Sequence, residues 1–135
     1  MRHRRIGLYG FLLALLPAMA AKAEIPEAAR KDPRYALGYV VATHYPGVRP
    51  NGQGDSTAGI QAAINDAYAN RLAVLFPAGT YLVSDTLKCY EWNFWDTRRK
   101  RARNPDRRNH ILVGSTLGAK RPLIRLRPRV PAFAN

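Results

Sequence analysis

The chain of 135 residues contains one cysteine, Cys89, so it can form no disulfide bond within itself. It also lacks the G-x-S-x-G and H-E-x-x-H motifs and any cluster of cysteine and histidine. These absences exclude a disulfide-stapled domain and remove the sequence support for an α/β-hydrolase or a zinc protease. We expect Cys89 to be a buried, inert thiol, with a free thiol or an intermolecular bridge as alternatives. His44 and His110 stand alone and are expected at a loop or a strand edge.

Acidic residues are also scarce, nine against 22 lysines and arginines, which gives a formal net charge of +13. Glycoside hydrolysis uses two carboxyl groups that face the scissile bond. Only Asp85, Glu91 and Asp96 lie near an aromatic segment, and Asp85 is more simply explained as a turn residue. The sequence therefore predicts no catalytic residue, and an Asp85/Asp96 pair stays as the alternative.

No apolar run reaches the roughly 18 to 20 residues that a membrane span requires. The apolar segment from Ile6 to Leu16 instead follows three arginines and precedes the small-residue site Ala21-Lys22-Ala23, which is the pattern of a signal peptide. We expect residues 1–23 to be cleaved after Ala23, with cleavage after Ala20 as the alternative, and the protein to be secreted or periplasmic. A membrane anchor is the less favoured interpretation. Cleavage after Ala23 leaves 18 basic and 9 acidic residues, a charge of +9.

Residues 52–87 predict a loop, a helix and two strands. Asp55, Ser56 and Thr57 can cap the free N–H groups at a helix start. An apolar stripe at helical spacing follows, formed by Ile60, Ala63, Ile64, Ala67 and Tyr68. We expect Asn70 to end the helix in the left-handed conformation and residues 72–76 to form a buried strand. Pro77-Ala78-Gly79 then turns the chain into a second strand.

Three stretches of this region, GDST, IQAAINDA and VLFPAGTYLVSDTL, resemble the amino-terminal segment of the pectate lyase superfamily, in its rhamnogalacturonase/epimerase-like group. Ser56 stands where the family pattern has a second Asp. The resemblance implies a mainly β fold, the start of a right-handed parallel β-helix (pectin lyase-like) whose amino-terminal cap is the α-helix. We expect residues 24–38 to be a polar tether and residues 39–135 to be the amino-terminal part of the β-helix domain.

Two further strands are predicted at residues 110–114 and 122–126. In the second, alternation places Ile124 and Leu126 on one face, the inside of a β-helix wall, and arginines on the other. A solenoid needs about three stacked repeats for stability, and the chain has room for one or two coils. We therefore expect an incomplete β-helix, a fragment that self-associates through its uncapped end.

Two neighbouring segments suit ligand binding. Aromatic residues alternate with polar ones over residues 90–94, and Trp95 follows; such a face most simply packs on the core, but tyrosine and tryptophan also suit sugar rings. Residues 98–108 contain seven basic residues and one acidic residue. Arginine can bind a carboxylate through two parallel hydrogen bonds. The candidate substrate-binding residues are Tyr90, Trp92, Trp95, Arg98 and Arg99. A solvated loop and nucleic-acid binding are the alternatives, and export argues against nucleic acid.

The resemblance implies an exported protein that processes acidic polysaccharide, as a lyase or a glycosidase. Lyases of the family use acidic residues that hold Ca²⁺ and a basic residue that takes a proton, on the middle coils. No catalytic position and no Ca²⁺ site can be carried over onto this sequence, so we expect the chain to be inactive alone. The alternative is a non-catalytic β-helix module for binding or assembly, at a cell surface or in a phage-like fibre.

Overall fold

The computed structural model describes residues 24–90, 94–96, 98, 101–103 and 109–128. The predicted signal peptide, residues 1–23, lies outside the described residues. The elements in chain order are α1 (Glu27–Lys31), β1 (Tyr39–Val41), α2 (Thr57–Asn70), β2 (Ala73–Phe76), β3 (Gly79–Val83), β4 (Phe94–Asp96), β5 (Arg101–Arg103), β6 (Leu112–Gly114) and β7 (Pro122–Leu126). Short 3₁₀ turns at Pro33–Tyr35 and Ala42–His44 flank β1. Within the described ranges, no helix combines the length and the apolar character that crossing a membrane requires.

Helix α2 buries the predicted apolar stripe. It packs on β1 and β2, and four of its inward side chains are buried: Ile60, Ala63, Ile64 and Ala67. Tyr68, at the end of the stripe, is only half-buried. Each fully buried isoleucine contributes about 1.5 to 3 kcal/mol relative to an exposed one, so this face fixes the helix on the strands.

Gly59 lets the first turn of α2 approach the preceding loop closely. A Cβ atom at this position would overlap the carbonyl oxygen of Pro46 and the side chain of Val48. Protein interiors are packed without spare volume, so neither neighbour can give way cheaply. The absent side chain therefore sets how the helix sits against residues 46–48.

The left-handed residue at the end of α2 is Arg71, and the prediction that Asn70 would hold this conformation is wrong. Asn70 is the last helical residue, and its side-chain Nδ2 donates to the carbonyl oxygen of Asp66 at 2.8 Å. Arg71 has a φ of 59°, and the N–H of Leu72 donates to the carbonyl of Ala67 at 2.8 Å. This is the long bond of a Schellman-type helix end.

The main strands pair in parallel, as two short layers. Strands β1, β2 and β6 form one sheet in that order, and β3 pairs with β7 in a second. Two layers thus contribute one strand to each sheet: β2 and β3 form the first layer, and β6 and β7 form the second. Strand β1 pairs with β2 on the side opposite β6. The predicted strands at 72–76, 110–114 and 122–126 correspond to β2, β6 and β7, and the positive φ expected of Gly79 is present at 153°. The described residues contain short strands and few helices, without a closed barrel.

Tyr81 lies at the centre of the core. It is fully buried, its ring meets that of Phe76 edge-to-face at 5.5 Å, and its hydroxyl donates to the Pro77 carbonyl at 2.8 Å. The hydroxyl is therefore satisfied although the ring is surrounded by apolar side chains. The turn that precedes β3 is fastened to the core by the same residue.

Ile124 and Leu126 are not buried, which corrects the expectation of an apolar interior along this strand. Their register partners are Tyr81 and Val83, so all four positions lie on the same side of the paired strands. Ile124 and Leu126 are nevertheless 41% and 43% exposed. Among the described residues, no element covers the second layer as α2 covers β1 and β2.

Residues 24–38 pack on the fold, in contrast to the expected polar tether. Ile25 and Ala29 are buried in the hydrophobic core, and Tyr35 packs against it. The two prolines of this segment suggested an irregular linker, but Ala29 lies on a short helix and places its methyl group against the body. Cys89 also differs from the expectation, because it is free and exposed, not buried.

Candidate functional site

Asp55 ties the start of α2 to the end of β3. Its Oδ1 accepts from the backbone N–H of Thr57 at 2.9 Å and from the Thr57 hydroxyl at 2.6 Å. Its Oδ2 accepts from the hydroxyl of Ser84 and lies 3.9 Å from Nη1 of Arg127. The hydrogen bonds from Ser84 and then Thr57 hold the pKa of Asp55 below its usual range. This carboxylate is already engaged on both oxygens, which makes it a clamp between two elements.

The three predicted cap residues have different roles. Asp55 satisfies a free N–H at the helix start, as predicted, and Thr57 receives the backbone N–H of Ser84 on its Oγ1 at 2.8 Å. Ser56 occupies the N-cap position but makes no side-chain bond to the helix. It is fully buried, and its hydroxyl instead accepts from the backbone N–H of Arg49 at 3.1 Å. Ser56 thus anchors the loop before the helix.

An open cleft of about 440 Å³ lies beside this clamp. Its lining comes from the first turns of α2 and from the segment after β3: Asp55, Thr57, Ala58, Gln61, Ser84, Asp85, Thr86 and Lys88. Gln61 fixes the backbone of Lys88 to α2. Its Oε1 accepts from the N–H of Lys88 at 2.7 Å, and its Nε2 donates to the carbonyl of Lys88 at 2.9 Å. Hydroxyl, carboxylate and ammonium groups suit a small polar ligand.

The cleft does not provide a ready pair of catalytic carboxyl groups. Asp55 is engaged by Thr57 and Ser84, and Asp85 accepts from the N–H of Thr86 at 2.6 Å, as expected of a turn residue. Asp96 lies on β4. Within the described ranges, no three side chains of histidine, cysteine, aspartate or glutamate come together to hold a metal ion. The residues described do not fit the Ca²⁺ that the resemblance implies for full-length relatives.

His110 connects three parts of the molecule. Its ring stacks on that of Tyr68 from α2, with centroids 4.4 Å apart and planes at 12°. Its Nε2 lies 2.9 Å from the carbonyl oxygen of Tyr90. Since a carbonyl only accepts, Nε2 carries the proton and donates it. Tyr90 and His110 are the residues on either side of residues 91–109, which we name the basic arm.

The described part of the basic arm is a two-stranded antiparallel ribbon. Strands β4 and β5 pair with Phe94 opposite Arg103, Trp95 opposite Ala102, and Asp96 opposite Arg101. Since strand residues alternate between faces, the positions of Phe94 and Trp95 fall on opposite faces. Because Phe94 is opposite Arg103 and Asp96 is opposite Arg101, these four positions lie on one face of the ribbon. The sequence analysis did not single out these two arginines, and only the strand register associates them with an aromatic position.

The predicted substrate-binding residues lie in and beside the arm. Tyr90 is 70% exposed at its base, Trp95 lies on β4, and Arg98 is exposed between the two strands. Trp92 and Arg99 lie outside the described residues. The structure therefore places three of the five candidates along one chain segment.

An ion pair near the amino terminus was not anticipated. Arg34 donates to both carboxylate oxygens of Asp32, from Nε at 2.8 Å and from Nη2 at 2.6 Å, and His44 Nε2 lies 3.6 Å from the same group. The Arg34 hydrogen bonds lower the pKa of Asp32 to about 2. The Asp-x-Arg spacing is visible in the sequence, but Pro26 and Pro33, the latter between Asp32 and Arg34, favour a linker interpretation. The group fastens residues 32–34 to the 3₁₀ turn after β1.

Part of the chain matches a known protein family. Residues 41–94 match the family model described as rhamnogalacturonase A/epimerase, pectate lyase-like. This confirms the recognition made from GDST, IQAAINDA and PAGTY. No match was found among curated proteins or among solved structures.

Proposed function

We propose, from the match of residues 41–94 to a pectate lyase-like family model, that this chain is the amino-terminal part of an exported protein that processes acidic polysaccharide. The family match carries the proposal. The parallel stacking of β6 and β7 on β2 and β3 supports a right-handed β-helix with α2 as its amino-terminal cap.

The basic arm is the proposed contact with the polysaccharide. It contains seven basic residues in the span 98–108, and arginine forks match the carboxylates of uronic acid units. Tyr90, 70% exposed at the base of the arm, offers an apolar ring with a hydroxyl to a sugar. Trp92, Trp95, Arg98 and Arg99 complete the proposed binding set.

We further propose that the 135 residues bind polysaccharide without cleaving it. Asp55, one of two carboxylates that line the cleft, accepts hydrogen bonds from Thr57 and Ser84 and has a lowered pKa. A general acid needs the opposite, a free carboxyl group with a raised pKa. A non-catalytic module that assembles through the exposed second layer is the competing proposal, favoured by the exposure of Ile124 and Leu126.

Binding and cleavage of polygalacturonate by the purified chain test this function. We expect binding that weakens with salt, no binding to a neutral glucan, and no unsaturated product. The double substitution Arg101→Ala with Arg103→Ala should weaken binding more than Lys120→Ala with Arg121→Ala, which removes the same charge elsewhere. Equal losses in the two variants, or tighter binding to single-stranded DNA than to polygalacturonate, would contradict the proposal. Formation of unsaturated product would disprove the claim of inactivity.

Export is tested by the amino terminus of the protein after expression in its host. We expect a mature protein that begins at Glu24 and is found outside the cytoplasm. A chain that keeps Met1 in the cytoplasm would contradict export, and polygalacturonate binding would be unaffected by that result.

A further inference from the structure

The register of the β3–β7 sheet defines its outer face. Tyr81 is fully buried, so its neighbours on β3, Thr80 and Leu82, lie on the opposite, outer face. Their register partners on β7 are Leu123 and Arg125, which therefore lie on the outer face as well. Arg125 is exposed, and Leu123 is 54% exposed. The second layer thus presents a cation and an apolar side chain on this face.

A second arginine lies on the other side of β3. Residues 52–56 run beside β3, since the N–H groups at both ends of this segment donate to β3 carbonyls at 2.8 Å. The exposed side chain of Arg49 lies against Gly54, where a Cβ atom would be 3.5 Å from its Nη1. A Cβ atom at Gly52, two positions earlier, would be 3.6 Å from the Thr80 side chain. The segment that carries Arg49 therefore opens onto the same outer face.

These two arginines have no carboxylate of their own. Among the ion pairs of the described residues, none includes Arg49 or Arg125, whereas Arg127 lies 3.9 Å from Asp55. Two strand spacings, about 10 Å, separate Arg49 from Arg125, and the half-buried Leu82 lies between them. Two unpaired guanidinium groups on either side of an apolar side chain suit a polymer that carries carboxylates along its length.

We propose that Arg49 and Arg125 form a binding site for an anionic polysaccharide chain, which crosses β3 and joins the loop before α2 to the second layer. The identity of the ligand rests on the proposed function. The site itself rests on the register and contacts of described residues, and it includes no residue of the basic arm.

Binding at this site should stabilise the second layer. Arg125 belongs to β7, whose inward residues Ile124 and Leu126 are 41% and 43% exposed. Arg49 is held on the first-layer side, because its N–H donates to the hydroxyl of the buried Ser56. A ligand that contacts both arginines binds only while β7 is paired, so it opposes the local opening of this strand.

The experiment compares two double substitutions of equal charge. Arg49→Gln with Arg125→Gln removes both guanidinium groups and keeps polar side chains, whereas Lys120→Gln with Arg121→Gln removes two charges just before β7. Wild type and variants are measured for melting temperature and for polygalacturonate affinity over a range of salt concentrations. Native-state hydrogen exchange of residues 122–126 is measured with and without polygalacturonate.

We expect polygalacturonate to slow the exchange of residues 122–126 in the wild type and in the Lys120/Arg121 variant, but not in the Arg49/Arg125 variant. The affinity of the Arg49/Arg125 variant should fall by about three- to tenfold, as for two exposed ion pairs. Its slope of log affinity against log salt should become shallower, because fewer cations meet the ligand.

Two results would overturn the inference and leave the proposed function standing. One is wild-type affinity and wild-type slowing of exchange in the Arg49/Arg125 variant, and the other is an equal loss of both in the Lys120/Arg121 variant. Tighter binding of single-stranded DNA than of polygalacturonate at this site would also overturn it. A wild-type chain that does not bind polygalacturonate would contradict the proposed function and this inference together.

Discussion

The two strand layers share one apolar pattern and differ in burial. In the first layer, the inward residues Val74, Tyr81 and Val83 are 1%, 0% and 7% exposed. Their register partners in the second layer, Leu112, Ile124 and Leu126, are 41%, 41% and 43% exposed. Alternation along a strand therefore predicts which way a side chain faces, whereas burial depends on the element that covers that face. Helix α2 packs on β1 and β2 and shares one buried core with Tyr81 and Val83, whereas no described element covers the second layer.

The largest difference in the free energy of unfolding should come from truncating, to alanine, two side chains that are register partners in the two layers. Tyr81→Ala should lower the free energy of unfolding by about 3 to 5 kcal/mol, the range for a buried aromatic side chain. Ile124→Ala, at the register partner, should cost about 1 kcal/mol or less, as expected for a half-exposed site. Urea denaturation measures both. Equal losses would mean that the second layer is as well covered as the first.

Gly59→Ala tests how closely α2 covers the first layer. Helix propensity alone predicts that alanine stabilises the helix by about 0.5 to 1 kcal/mol. The overlap of a Cβ with the Pro46 carbonyl and Val48 predicts the opposite sign, a loss of about 1 to 3 kcal/mol. Ala58→Gly, at the exposed neighbouring position, is the control that reports propensity only. A more stable Gly59→Ala protein would show that the helix is not in close contact with residues 46–48.

Asp55→Asn tests a clamp that reaches both layers, because Arg127 directly follows β7. The pKa of Asp55 is lowered by the Ser84 and Thr57 hydrogen bonds, so the ionised form stabilises the fold above the unfolded-state pKa of about 3.9. That stability is lost as the pH falls through the lower folded-state pKa. We expect Asp55→Asn to cost about 1 kcal/mol at pH 7, after allowance for a side chain that is 36% exposed. Melting temperatures that differ equally at pH 7 and at pH 2 would contradict this assignment.

Asp66→Asn should stabilise the fold at pH 7, by less than Asp55→Asn destabilises it. Asp66 is 4% exposed on the inner side of α2, and burial raises its pKa. Ionisation therefore opposes folding once the pH exceeds the unfolded-state value, and replacing the carboxyl with an amide removes this opposition. We expect a modestly higher melting temperature at pH 7 and no difference below about pH 3. A destabilised Asp66→Asn protein at pH 7 would indicate that the fold requires the carboxylate.

The elements that the sequence predicts correctly are those with local causes. The cap of Asp55 on Thr57, the stripe of α2 and the Pro77–Gly79 turn each depend on residues within a few positions of one another. Strand β7 was predicted to the residue because proline and alternation mark its limits. The recognition of the family rests on motifs within residues 54–87, which lie inside the matched range 41–94.

The parts that were missed depend on partners distant in the chain. The sequence predicts that the Ser56 side chain caps the helix, but its hydroxyl accepts from the N–H of Arg49, seven residues earlier. Residues 24–38 have the composition of a linker, but Ala29 packs in the core. Ile124 has the spacing of an interior residue, but no described element covers it. The stack of His110 on Tyr68 joins a strand edge to a helix end, and no pattern along the chain indicates it.

Hydrogen exchange of the backbone amides, measured under native conditions, tests the contrast between the two layers most directly. Buried, well-covered strands exchange only when the whole molecule unfolds, whereas poorly covered strands also exchange through local opening. We predict that amides of residues 73–83 are protected with the full free energy of unfolding and that amides of residues 112–126 exchange faster. Equal protection in both layers would contradict the account.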